Sequence, residues 1–184
     1  MRATVHVFTF KEGLLARLAH DLRLSVGTFE IRLARGEVDA WFDVDSIEVD
    51  GVARGDRIDR DALSQLDKNK IRDTLRRELL HSAEHPRVEV QGKLKREAAS
   101  YAVQAEVRLR GRTCPLLVSV QLKADRAAAK VEFSPSQFGI TPYKAVGGAI
   151  RLQDRVIVQI ELLEEAAKLE ALSVTGEVCE FGPA

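Results

Sequence analysis

The 184-residue chain is poor in most features that announce a function outright. It has no excess of one charge: Lys+Arg and Asp+Glu stand at 28 each, and they are interspersed. That speaks against the basic footprint of a nucleic-acid binder. No apolar run approaches the roughly 20 residues of a membrane-spanning helix. No secretory signal stands at the N-terminus, where Lys11 and Glu12 follow a short apolar stretch, so a cytoplasmic setting is expected. There are two cysteines, Cys114 and Cys179, too few for a disulfide framework and expected to be free thiols. There is no Gly-x-Ser-x-Gly elbow, no phosphate loop and no dinucleotide fingerprint. His81 and His85 stand four apart, but Pro86 ends any helix there and no third ligand follows, so no metal site is expected.

What the chain does have is alternation. From residue 87 to 163, apolar and polar residues trade places almost without a break. Val88 and Val90 begin it; Tyr101, Val103, Ala105, Val107 and Leu109 continue it. Val118, Val120 and Leu122 follow, and Val156, Val158, Ile160 and Leu162 close it. Side chains on a strand point to opposite faces in turn, so this pattern makes strands with one apolar side. The short links between them suit antiparallel neighbours.

The first half reads as strands at residues 4–10, 22–26 and 28–33 (two strands, or one bent at Gly27) and 37–49, with a short helical turn or loop at 13–19 and a further loop after Gly51. One helix is expected over 67–80, with Asp67 as N-cap and Ile71, Leu75 and Leu79 forming a narrow apolar stripe. Such a helix would cover a barrel end or a sheet edge. The expected architecture is therefore mainly β, with about eight antiparallel strands closed into a barrel and one helix between the early and late strands. Inward residues are mostly Val, Leu, Ile and Ala. They can pack a dry core or leave a cavity for one small guest.

Several segments resemble the YceI-like family. Phe133-Ser134-Pro135-Ser136-Gln137-Phe138-Gly139-Ile140-Thr141-Pro142-Tyr143 is similar to its Ser-Asp-Phe-Gly turn. Asp43-Val44-Asp45-Ser46-Ile47 resembles its strand end, and Gly111-Arg112-Thr113-Cys114-Pro115 its hairpin. Asp67-Lys68, Ile71-Arg72, Leu79-Leu80 and His85-Pro86 follow its helix and strand entry, and His20-Asp21-Leu22 falls near its second strand. The order holds from about residue 3 to 164, the extent of the matched motifs. The resemblance implies a lipocalin-like barrel over residues 1–164, with an apolar lumen that holds a polyisoprenoid in some members. Residues 165–184 are then a C-terminal extension, expected to begin with a short helix at 164–172 and to offer an edge strand at 173–178. Two features differ from the family pattern. Export signals are common in it, and its Arg-Asp-x-His-Leu-Arg-type segment is here Asp67-Lys68-Asn69-Lys70-Ile71-Arg72.

The candidate lumen residues are Val38, Phe42, Val90, Val103, Phe133, Phe138, Val158 and Ile160, with His20 and Tyr143 at a head group or mouth. The expected partner is a hydrophobic small molecule or lipid, bound without catalysis, and no cofactor is called for. A packed, ligand-free interaction or stress-related module is the alternative, docking a partner or forming a homodimer through Trp41 or the tail. A hydrolase built from Ser134, Ser136 and His20 ranks third.

Overall fold

The computed structural model describes residues 2–12, 20–97, 100–123, 125–145, 150–163 and 178–184. The early strands are β1 (Arg2–Glu12), β2 (Leu22–Val26), β3 (Phe29–Ala34), β4 (Glu37–Asp43), β5 (Ile47–Arg54) and β6 (Arg57–Asp59). Helix α1 (Gln65–Thr74) follows. Then come β7 (Arg87–Glu97), β8 (Ser100–Leu109), β9 (Arg112–Lys123), β10 (Arg126–Phe133), β11 (Lys144–Ala145), β12 (Ile150–Leu163) and β13 (Cys179–Pro183).

The strands close into a barrel. Around it run β1, β12, β10, β9, β8, β7, β4, β3 and β13, which returns to β1. The ring therefore has nine staves, where the sequence suggests eight. It is also not wholly antiparallel, because β13 meets β1 in parallel, with Arg2 opposite Gly182 and Ala3 opposite Pro183. The reason lies in how β1 divides its edge. Residues 6–9 of β1 pair with β2, and β2 pairs with β5, so this edge turns away from β3. Backbone groups left between β1 and β3 would lack partners, and β13 supplies them by pairing with Leu33, Arg32 and Ile31 on its other side. The last strand is thus set into the wall. Val178, the one described residue of the expected 173–178 strand, is exposed and precedes it, while the expected helix at 164–172 and the turn at 13–19 lie outside the described residues.

Local chemistry explains the corners. The expected strand over 37–49 breaks at Asp43, whose carboxylate accepts the Asp45 N–H at 2.8 Å and starts a 3-10 turn over Val44–Ser46. The chain then leaves β4 and enters β5. Two-residue hairpins join β3 to β4 through Arg35 and Gly36, and β8 to β9 through Arg110 and Gly111. All four of these residues have positive φ, as the tight right-twisted turn requires. Pro115 sits inside β9, in a stretch ahead of the β10 pairing, which begins at Ser119.

The helix begins earlier than Asp67. Ser64 is its N-cap, accepting the Asp67 N–H at 3.1 Å, while the Asp67 carboxylate accepts the Ser64 hydroxyl at 2.6 Å. Asp67 is the acidic partner of a reciprocal cap. After Thr74 the helix continues as one π-helical turn over Leu75–Leu79. Arg76 ties it to the barrel, donating from Nη2 to the Ile47 carbonyl at 2.7 Å and to Glu48 at 3.1 Å. Ile71 and Leu75 pack on the main core with Leu24, Ile47 and Val49.

Candidate functional site

The barrel is hollow. A cavity of about 270 Å³ occupies one end, and a second of about 100 Å³ continues toward the other. Ile31 and Ile160 line both, so the two are adjoining. Pockets that hold small organic ligands run to roughly 300–1,000 Å³, and the larger cavity stands at the lower edge of that range.

Strand register shows how the space arises. Across β1, β12 and β10, inward residues meet in layers. At one end are Ala3, Leu162 and Ala127. Next come Val5, Ile160 and Ala129, then Val7, Val158 and Val131, and at the other end Thr9, Val156 and Phe133. Ala127 and Ala129 are too short to reach across, and they line the smaller cavity. Val7, Val131 and Val158 line the larger one, and their layer on these three strands holds no side chain larger than valine. The stripe of the helix completes the wall, with Leu75, Leu79 and Leu80 lining the larger cavity.

The structure brings together most of the lumen residues expected from sequence. Phe42, Val90, Phe133 and Val158 line the larger cavity, Val38 and Val103 the smaller, and Ile160 both. Phe138 does not line either. It is 1% exposed and packs edge-to-face on Phe133 with ring centroids 5.5 Å apart, so it supports the wall from behind. Of the two polar candidates, Tyr143 stands at the open end, 36% exposed, while His20 lines neither cavity. Asp21, beside it, accepts the Lys11 N–H at 2.8 Å.

Few polar groups reach the lumen, and Asp43, Gln153 and Arg155 among them are already engaged. Arg155 makes a two-pronged contact with Glu132 at 2.7 and 3.0 Å and lies 4.6 Å from the Phe10 ring. That pairing holds the Glu132 carboxyl below its ordinary range. Gln153 donates to the Lys11 carbonyl at 3.2 Å. His81 does not join His85 around an ion: its Nε2 accepts from Arg110 at 3.0 Å, while the His85 ring packs over Gly111. No three metal-ligating side chains converge among the described residues. Neither cysteine is in a disulfide, and Cys179 is buried.

Sequence reasoning missed Thr9, the helix leucines and the role of the alanines. Thr9 continues the Val5–Val7 alternation and could have been found that way. The alanines carry no such signal, because a small residue marks a hollow only when its register partners are known.

Comparison with known proteins follows the same fold. A family model described as the YceI-like domain matches residues 4–163. The chain belongs to the YceI-like family. Among solved structures, this YceI-like chain is similar to BcnA of Burkholderia cenocepacia, with a TM-score of 0.57 at 12% identity over 86% of this chain and 94% of that one. It is also similar to a polyisoprenoid binding domain from Saccharophagus degradans implicated in plant cell wall breakdown. There the TM-score is 0.54 at 13% identity, covering 89% of this chain and 94% of that one. At such identities the likeness is one of fold. No curated protein matches the chain in sequence. The family match ends at Leu163, so β13 lies beyond it.

Proposed function

We propose that this protein binds an apolar, chain-like lipid of the polyisoprenoid type inside its barrel and does no chemistry on it. The observation that carries this is the pair of adjoining cavities, lined almost wholly by aliphatic side chains and sharing Ile31 and Ile160. An elongated apolar space suits a chain better than a compact ring. Burying such a chain is favourable by roughly 25 cal/mol for each Å² of apolar surface removed from water. A wall already closed by hydrogen-bonded strands adds little ordering cost on binding. Membership of the YceI-like family, and the fold shared with a polyisoprenoid binding domain, support the same class of ligand.

Native mass spectrometry of the purified full chain tests it. The expected spectrum carries a lipid-sized adduct, removed by organic extraction and restored by adding a long isoprenoid alcohol. Val158→Phe, which places a ring in the middle of the larger cavity, is expected to fold and to lose the adduct. A wild-type protein that neither carries nor takes up such a lipid would sink the proposal.

A further inference from the structure

Among the described residues, one polar atom of the lumen wall is buried without a partner. Along β1 the inward positions are Ala3, Val5, Val7 and Thr9, and Thr9 shares its layer with Val156 and Phe133. The Thr9 hydroxyl is buried and has no hydrogen-bond partner among the described residues. Among the described residues one other buried side-chain atom is in that state, Nε of Arg76, which lies off the lumen. A buried hydroxyl without a partner costs stability, and valine would fill the same space without that cost. Thr9 also stands where β1 slips register against β12, between Thr9 and Lys11. A bulge of this kind re-aims a side chain.

The neighbouring polar groups narrow what could satisfy it. Arg155, the cation on the cavity wall, is held by Glu132 and by the Phe10 ring. The Gln153 amide is bound to Lys11, and the Asp43 carboxylate to the Asp45 N–H. No free charge on this wall awaits a phosphate or a carboxylate among the described residues. A hydroxyl can both donate and accept, so it suits a single uncharged oxygen.

We propose that Thr9 is the polarity-selecting residue of the lumen. It hydrogen-bonds an uncharged oxygen, an alcohol or a ketone or ester carbonyl, at the head of a chain-like ligand. The head then lies in the layer of Thr9, Val156 and Phe133, near Tyr143, and the chain points past Ile160 toward Ala127. This rests on the lumen-binding function proposed above and adds the chemistry and the direction of the guest.

The test compares farnesol with the hydrocarbon farnesene on the full-length protein, by displacement of a fluorescent apolar probe. Wild type is expected to prefer farnesol. Thr9→Val is expected to lose farnesol affinity by about tenfold, the worth of one net hydrogen bond, and to bind farnesene as tightly as before. Unliganded Thr9→Val should melt higher than wild type, and Thr9→Ser should keep the preference for farnesol. A Thr9→Val protein that still prefers farnesol as strongly as wild type overturns the role of Thr9 and leaves lumen binding standing. Wild type that binds neither probe overturns lumen binding itself, and this proposal with it.

Discussion

β2 and β9 share one sequence pattern and meet different fates. In β2, Leu22, Leu24 and Val26 alternate with polar residues and are 8%, 1% and 8% exposed. In β9, Leu116, Val118, Val120 and Leu122 alternate just as regularly, yet all stay half-buried. The difference is in what lies opposite. Leu24 and Val26 also touch the larger cavity, but β2 belongs to the main core, with Ile71 and Leu75 of the helical segment packed against that core, whereas the inner face of β9 stays open to the cavities along its length. A period of two tells which way a side chain points; it does not tell whether anything stands there to meet it. The half-buried inner face of β9, flanked by exposed outer positions, marks a space and not a weak strand.

The sharpest way to break this contrast is at β13, which belongs to the packed side. Phe181 is 1% exposed and sits in the main core with Phe29, Ile31 and Leu33. Phe181→Ala is expected to cost about 3–5 kcal/mol in denaturant unfolding, the usual range for a fully buried phenylalanine. A cost below about 1 kcal/mol would make β13 an appendage and leave the barrel to its remaining staves.

A matched pair sharpens the contrast further. Leu24→Ala removes a packed side chain and is expected to cost about 2–5 kcal/mol. Val118→Ala enlarges a space that already exists, so only the lost transfer energy counts, about 1 kcal/mol. Equal costs, measured as shifts in urea midpoint, would mean that the inner face of β9 is as well packed as that of β2.

These differences mark what could be read from residues alone. The two-faced strands, the closed β architecture and the one helix were legible, because each rests on local periodicity and capping chemistry. So were Phe42, Val90, Phe133 and Val158 as wall residues, since alternation assigns a face. Phe138 was misplaced because it lies in a 3-10 turn, Pro135–Phe138, where alternation does not apply. The ninth stave was not legible. The pairing of Phe181 with Ile31 spans nearly the whole chain, and nothing local in Cys179–Pro183 identifies its partners. The parallel contact between β13 and β1 is hidden for the same reason.

The smallest expected effect comes from the outer face of the packed side. His6 lies on β1 opposite Ser25 of β2 and Gln159 of β12. Asp50 is 4.0 Å from its Nε2, but Asp50 is already bound by Arg23 at 2.7 Å and by the Ser25 hydroxyl at 2.8 Å. Burial, and then the charge of Arg23, push the His6 pKa below the ordinary 6.5, against the weaker pull of Asp50 and Glu161. The folded protein therefore takes up this proton less readily than the unfolded chain does. As pH falls from 6.5 toward the lowered value, the unfolded chain binds more protons and stability declines; below the lowered value the loss is complete. His6→Gln removes this contribution, so its urea midpoint should fall less than that of wild type between about pH 7 and about pH 5, the range in which a histidine titrates. Parallel falls in the two proteins would show that this face does not resist charging, and that the packed side is closed on its inner surface alone.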